Sequence, residues 1–535
     1  MRRLLPILLL LLLVGCTTER RLANLEQDVG VYLEQAGQSE LPEEEPERLN
    51  LDKYRAYVLP SDGEHEVVAL DLRRSLELAA AYSREYQTSK ETLYNAALAL
   101  RGVSHDWEWN PGNNLSALYS LEQDPSQATF STDSKLTLSK RFLSGARLTA
   151  SLALSTIRYF SGDKSVSMHT LASLTASQPL LGGSGALVNR EGLTQAERNL
   201  IYALRVYVRA REQLLISIAT RYYAVLNAAD TLEIGKQNLA SVKASLDRSE
   251  AMADAGRTDP FQVDQARQKV LTAEARVVTY EEAFRSAQDD LKMILGLPLE
   301  VDIQADPKDL QVLRDCELPK PPMSFEEALE TALRDRLDFA TVNDRLADAE
   351  RAVEIAKDGM RARLDLNFQA TAGSIRANKL EMPKFGDADY AIGATLDLPF
   401  DRLNETIALK RAMIALHAQQ RAVDAARDNI TNELRSSWRS LNSYGQTCAI
   451  QKVSVELSEK RVESTQLLFE GGRINIRELL DAQDDLASAR NALTQALVNH
   501  RISWLKLLYQ LGNLPVSAEN LWSEQLDLTE KTHEE

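Results

Sequence analysis

The chain has only three cysteines in 535 residues, Cys16, Cys316 and Cys448. It has no run of eighteen consecutive apolar residues, which excludes a membrane-spanning helix. Such a chain crosses a bilayer only as a β-barrel. Its histidines, His65, His105, His169, His417, His500 and His533, lack the spacing of metal ligands. There is no glycine-rich phosphate loop, nucleophile elbow or cysteine cluster, so catalysis, a cofactor and a metal centre are all unsupported. Positive charge is short as well. The net charge of −16 and the want of a polybasic face argue against a nucleic-acid partner.

What the chain has is a repeat. Apolar residues recur every seventh position at Leu193, Leu200, Tyr207 and Leu214, step by four, and resume at Ile218, Val225, Leu232, Leu239 and Leu246. The same pattern returns 216 residues later, from Leu409 through Ile430, a step of four to Leu434, and on through Leu441 and Cys448. The offset holds through Gly256-Arg257 against Gly472-Arg473 and ends at Leu295-Gly296 against Leu511-Gly512. A stagger shared by both copies marks a tandem duplication. The heptad spacing is a coiled-coil seam, and the four-residue step is a stutter that locally unwinds the supercoil. A long rod satisfies this periodicity as well as any other assembly of helices does.

Arg2 and Arg3 followed by the apolar run Leu4–Val14 read as a signal peptide over residues 1–15. The run closes on Leu13-Val14-Gly15-Cys16, which resembles the lipobox of bacterial lipoproteins. That resemblance implies lipidation of Cys16, and Thr17 in place of an aspartate implies an outer-membrane anchor facing the periplasm. Several acyl chains on one cysteine suffice for stable anchoring. Residues 16–72 then form a polar tether containing the acidic, proline-broken stretch Leu41–Pro46.

A helical pattern runs from about Arg74 to Arg101, and a related one from Phe325 to about Met360. Pairing Leu76 with Leu329 gives an offset of 253, so the first copy carries 37 additional residues between about 101 and 193. That interval alternates as β-structure at Lys135–Leu138, Arg147–Leu154 and Val166–Ser177. Leu364–Ala372 and Tyr390–Leu398 alternate likewise in the second copy. Each β region ends on a proline, Pro179 or Pro399, before a long helix. Runs near ten residues with weak alternation match transmembrane β-strands; a soluble β-cap on a rod is the other reading. Two antiparallel strands per copy make four per chain, too few to enclose a lumen, whereas a homotrimer would supply twelve. The segment near Lys135 either lengthens a strand or adds a hairpin.

The long helices are expected over about Leu187–Ala255 and Arg402–Glu470, each about 100 Å at 1.5 Å per residue. From each Gly-Arg turn a return helix of about 38 residues leads back. The predicted division is a first repeat over 73–298, an irregular belt over 299–323, a second repeat over 324–515 and a polar tail over 516–535.

This order of elements, doubled, with Gly472-Arg473-Ile474-Asn475-Ile476-Arg477-Glu478-Leu479-Leu480-Asp481 at the second turn, resembles the TolC-type outer-membrane efflux protein family over nearly the whole mature chain. The first-copy turn at Gly256-Arg257 matches less closely. The resemblance implies an α+β membrane protein: a coiled-coil tunnel plus two β-hairpins per chain, shared in a twelve-stranded trimeric barrel in the outer membrane. It implies a homotrimer docked on a periplasmic adaptor and an inner-membrane transporter, exporting drugs, metals or secreted proteins. The alternative of another class is a periplasmic lipoprotein rod without a pore.

Gly256 and Gly472 suit the left-handed ends of helices. By resemblance, Arg257 and Arg473 beside them contact the adaptor. Glu478 and Asp481 share a helix face and match positions where the family places acidic rings at its closed aperture. The first copy has Gln262 and Gln265 there, so such a ring belongs to the second copy alone; two solvated acids is the plainer reading. Cys316 and Cys448 could pair in an oxidising periplasm. Cys448 equally fits as a small apolar seam residue, since Leu232 fills that position in the first copy.

Overall fold

The computed structural model describes residues 58–59, 67–120, 129–160, 166–315, 318–321, 323–377, 383, 385–398 and 400–514. The signal peptide, Cys16, most of the tether, Cys316 and the C-terminal tail lie outside them. The chain forms two compact units. One contains Thr92–Leu204 and Thr341–Asp424; the other contains Arg205–Ala340, the chain from Ala425 onward and the segment ending at Glu91.

The first unit is built on one antiparallel sheet of six strands: β3 (Asn110–Ser120), β4 (Thr129–Arg141), β5 (Arg147–Tyr159), β6 (Val166–Pro179), β8 (Arg363–Ala377) and β9 (Asp389–Asp397). They lie in the order β3-β4-β5-β6-β8-β9. The expectation of two hairpins is therefore corrected to three. The additional residues supply a third strand pair, β3–β4, joined along all eleven residues of β3. Its first strand escapes a sequence reading because it opens on Asn110-Pro111-Gly112-Asn113-Asn114, residues that signal a turn.

The register sorts the sheet into two chemically distinct faces. One row across all six strands is Pro111, Leu138, Ala150, Leu174, Ala370 and Tyr390. The adjoining row, on the opposite face, is Gly112, Thr137, Ser151, Ser173, Thr371 and Asp389. Alternation along each strand continues the division, with Leu118, Ile157 and Leu171 among the bulky exceptions on the polar face. Leu115, Leu136, Leu366, Ile392 and Leu396 on the apolar face are exposed.

The second unit holds β1 (Val58–Leu59), β2 (Val67–Leu70), α1 (Leu72–Tyr82), β7 (Asp302–Ala305), α5 (Lys308–Asp315) and α6 (Phe325–Asp335). Two expectations change here. The end of the tether is not irregular: β2 pairs antiparallel with β1 and parallel with β7. The belt over 299–323 is likewise structured, supplying β7 and the helix α5. Val68, Leu70 and Ile303 bury their side chains, which is what draws these short segments together. Tyr222, fully buried, holds α5 by donating its hydroxyl to Asp309 Oδ2 at 2.5 Å.

The helices follow the repeat closely. The long ones are α3 (Ala186–Asp254) and α8 (Leu403–Glu470), and the return helices α4 (Pro260–Leu295) and α9 (Ile476–Leu511) have 36 residues each. No described helix is long and apolar enough to cross a membrane. The helix expected over 74–101 is broken at Ser83 into α1 and α2 (Arg84–His105), and the one expected over 325–360 is broken at Arg336 into α6 and α7 (Leu337–Gly359). The breaks are 253 residues apart, so they belong to the duplicated unit. Ile430, Leu434 and Leu441 of the second seam are buried against Ala328, Ala332, Leu507 and Leu511.

Arg336, almost fully buried, donates to Asp338 Oδ2 (2.6 Å), Glu433 Oε2 (2.9 Å) and Gln510 Oε1 (2.6 Å). Nearby, Arg209 lies 3.6 Å over the Tyr509 ring and donates to Glu212 Oε2 at 3.1 Å. Burial pushes the Glu212 carboxyl up to about 6, against the pull of Arg209. A carboxyl raised in the folded state holds its proton longer than in the unfolded chain. Its contribution to stability is therefore full below about pH 4.5 and is lost as pH rises through about 6. Glu212→Gln is expected to gain on the parent protein by about 2 kcal/mol between pH 4.5 and 7. Unfolding of the detergent-solubilised protein across that range checks this; a constant difference between the two would rule it out.

Candidate functional site

The turns at the ends of the long helices form as their glycines dictate. Gly256 and Gly472 adopt φ +68° and +66°, conformations that side chains with a Cβ rarely take. Each is followed by an arginine whose N–H reaches back across the helix end, Arg257 to Met252 O (2.8 Å) and Arg473 to Leu468 O (2.9 Å). Asp259 then caps α4, accepting from the Phe261 N–H at 3.0 Å, with Pro260 at the first helical position. Asn475 opens α9 without a cap of that kind and accepts from Gln262 Nε2 at 3.3 Å instead.

The two tips are packed together by an apolar cluster of Val242, Ala266, Val270, Phe469, Ile476, Leu479 and Leu480. Arg248 pairs with Glu470 at 2.8 Å beside it. Arg257 and Arg473 remain on the exposed surface of the turns.

The two acids of α9 differ. Glu478 is exposed. Asp481 is held by Lys269 Nζ at 3.0 Å, and Asp484 by the same ammonium at 3.0 Å. Arg276 and Asn238 also reach Asp484, at 3.4 and 3.1 Å. Burial works to lower the Lys269 ammonium, and its hydrogen bonds to Asp484 and Asp481 outweigh that and raise it. The Lys269–Asp484 cluster was not anticipated, although the offset of 216 sets Lys269 against Asp485 and shows charge of opposite sign at equivalent positions. The same inversion occurs higher up: Lys243–Glu274 (2.8 Å) in the first copy becomes Glu459–Arg490 (2.8 Å) in the second.

Cys448 is buried with Ala496 and Leu497, and burial raises its thiol. His500 is also buried, on the seam, and burial lowers it. Among the described residues no group of histidine, cysteine and acidic side chains could hold a metal ion.

The inter-repeat contact repeats unevenly. Within the chain α3 packs on α9: Asn227 donates to Gln495 Oε1 at 2.9 Å, and Thr494 to Asp230 Oδ2 at 2.6 Å. Ile234 and Thr494 are 7% and 1% exposed there. Their equivalents in the other copy, Ile450 on α8 and Val278 on α4, are 65% and 66% exposed. Two surfaces built to the same pattern are thus covered in one case and open in the other.

The outer membrane efflux protein family matches residues 138–297. The outer membrane protein TolC of Vibrio cholerae serotype O1 is 23% identical over 325 residues, which is 60% of this chain and 73% of that protein. The alkaline protease secretion protein AprF of Pseudomonas aeruginosa is 24% identical over 353 residues, 64% of this chain and 70% of that one. The chain is thus similar in sequence to the TolC-like outer-membrane efflux family. The fold agrees: the outer-membrane channel OprN superposes with a TM-score of 0.61 over 83% of this chain and 90% of its own, at 17% identity. The open-state MtrE channel of Neisseria gonorrhoeae gives 0.63 over 84% and 91%, at 15% identity.

Proposed function

We propose that this protein is the outer-membrane exit duct of a tripartite efflux pump or one-step secretion system, passively passing small molecules or proteins out of the periplasm. The observation that carries the reading is the six-stranded sheet with one apolar and one polar face. Exposed leucines and isoleucines on one face suit lipid, and serines, threonines and charges on the other suit a water-filled lumen. A rod in water would have no use for that apolar face.

The protein works as a homotrimer. The open surfaces at Ile450 and Val278 match the covered pair at Ile234 and Thr494, so α8 of one copy takes α4 of the next as α3 takes α9 within a chain. Head-to-tail contacts of this kind close into a ring. Cys16 carries the lipid that anchors the trimer in the outer membrane. Helices α3, α4, α8 and α9 form the periplasmic wall of the duct, and the tips Gly256-Arg257 and Gly472-Arg473 meet a periplasmic adaptor coupled to an inner-membrane transporter. Glu478 supplies the charge of the aperture, while Asp481 is largely neutralised by Lys269.

Planar-bilayer recording tests this. Purified, lipidated protein is expected to give discrete conductance steps blocked by divalent cations. Glu478→Ala is expected to weaken that block severalfold and Asp481→Ala to change it little. A well-folded preparation that inserts no channels would refute the duct; equal effects of the two variants would refute the assignment of the aperture to Glu478.

A further inference from the structure

We infer that the additional hairpin β3–β4 is part of the barrel wall, so that three copies close an eighteen-stranded barrel through pairing of β3 with β9 of the next copy. This rests on the trimeric duct above and departs from the twelve strands that two hairpins per chain would supply.

Four observations carry it. First, β3 and β9 are the two ends of the sheet, each with one strand neighbour among the described residues. Five successive antiparallel pairings make them run in opposite directions, so β3 meets β9 of another copy antiparallel, as barrel closure requires. Six strands are too few to close around a lumen within one chain, so the free edges need a second copy.

Second, the hairpin carries the same division of faces as the rest of the sheet. Leu115, Phe130, Leu136 and Leu138 fall on the apolar side, and Asp133, Lys135 and Thr137 on the polar side. A hairpin lying outside a barrel, in water, would not need a lipid-compatible face in register with its neighbours.

Third, the hairpin is bounded by aromatic residues. Trp109 lies at one end, with Lys140 Nζ 5.2 Å from its ring. Tyr119 lies at the other, edge-on to Phe160 at 5.9 Å. The ten residue steps from Trp109 to Tyr119 extend about 33 Å. At the usual tilt of about 40° that is a band about 25 Å tall, the height of the apolar belt between the two aromatic girdles of an outer-membrane barrel.

Fourth, the hairpin is anchored where a wall strand would be. The turn that joins it to β5 is fixed by Ser144 O accepting from Gly185 N–H at 3.3 Å and by Ser144 Oγ donating to Gln178 Oε1 at 2.9 Å. β4 is paired with β5 along its full thirteen residues.

Barrel diameter grows roughly linearly with strand number, so eighteen strands give a lumen about 1.5 times as wide as twelve. The duct would then be a porin-sized opening at the outer membrane whatever the width of its periplasmic end.

Disulfide trapping in outer-membrane fractions tests the closure. Ser116→Cys on β3 is combined in turn with Ala391→Cys, Gly393→Cys and Thr395→Cys on β9, a set that spans the possible registers on the polar face. At least one pair is expected to give covalent trimers, with single variants as controls, while Ser151→Cys or Ser155→Cys on β5 gives none with the same β9 positions. Excision of Asn110–Arg141 joins Trp109 to Phe142 at one end of the sheet, because Asn110 pairs with Ser139. In that variant β5 becomes the edge, and the β5–β9 pairs are expected to cross-link. Cross-linking of β5 to β9 in the full-length chain, or channels that form without any β3–β9 cross-link, would overturn the inference. If no channels form at all, it is the duct itself that fails.

Discussion

Gly296→Ala lowers the unfolding midpoint of the solubilised protein by several degrees, whereas Gly256→Ala costs much less. Both glycines end helices at positive φ, +75° and +68°, so both substitutions carry the strain of a left-handed residue, about 1–2 kcal/mol. Only at Gly296 does the new Cβ meet another segment. It would fall inside contact distance of the Tyr82 carbonyl oxygen, a backbone atom at the end of α1 that has no rotamer to escape into. Overpacking of this kind adds about 1–3 kcal/mol. At Gly256 the Cβ finds open space. Gly512→Ala falls between, because its Cβ would lie 3.1 Å from the Asp335 carbonyl oxygen, tight but tolerable with a small shift. The order Gly296, Gly512, Gly256 is the test. Equal losses at all three would mean that strain alone matters and that the approach of helix end to helix break is incidental.

Ile450→Glu combined with Val278→Glu abolishes the trimer while leaving the chain folded. Both side chains lie open on one copy, so a carboxylate there is solvated and costs the isolated chain little. In the assembled ring both would be buried as Ile234 and Thr494 are, with like charges facing each other and no counter-ion. Each buried, unpaired charge costs several kcal/mol, and three such interfaces must close together. Light scattering of the solubilised protein is expected to show loss of the trimer by more than about tenfold, with helicity unchanged. The pair Ile450→Glu with Val278→Lys restores it in part. A double-Glu variant that stays trimeric would place the interface elsewhere.

Much of the second unit was legible in the sequence. The offset of 216 residues located both long helices to within a residue or two, both Gly-Arg turns and both return helices, because a seven-residue apolar period and a glycine followed by arginine act through neighbours within one or two helical turns. The helix breaks at Ser83 and Arg336 were not legible. Nothing local marks them; they arise where Gly296 and Gly512 bring another helix end against the chain, and they hold because Arg336 can bond Asp338, Glu433 and Gln510 at once. The standing of Asp481 was equally hidden, since Lys269 lies 212 residues away and only packing sets it 3.0 Å from that carboxylate.

The sheet divides the two kinds of information most sharply. Alternation of apolar and polar residues along β5, β6, β8 and β9 determined that these segments are strands and that each has two unlike faces, because successive side chains of a strand point opposite ways. It could not determine how many strands there are. β3 opens on asparagines, a proline and a glycine, and becomes a strand only because β4 offers it eleven consecutive partners. Hydrogen bonds between strands join residues far apart in the chain, so strand number, order and register belong to the tertiary structure, and with them the width of whatever the sheet encloses.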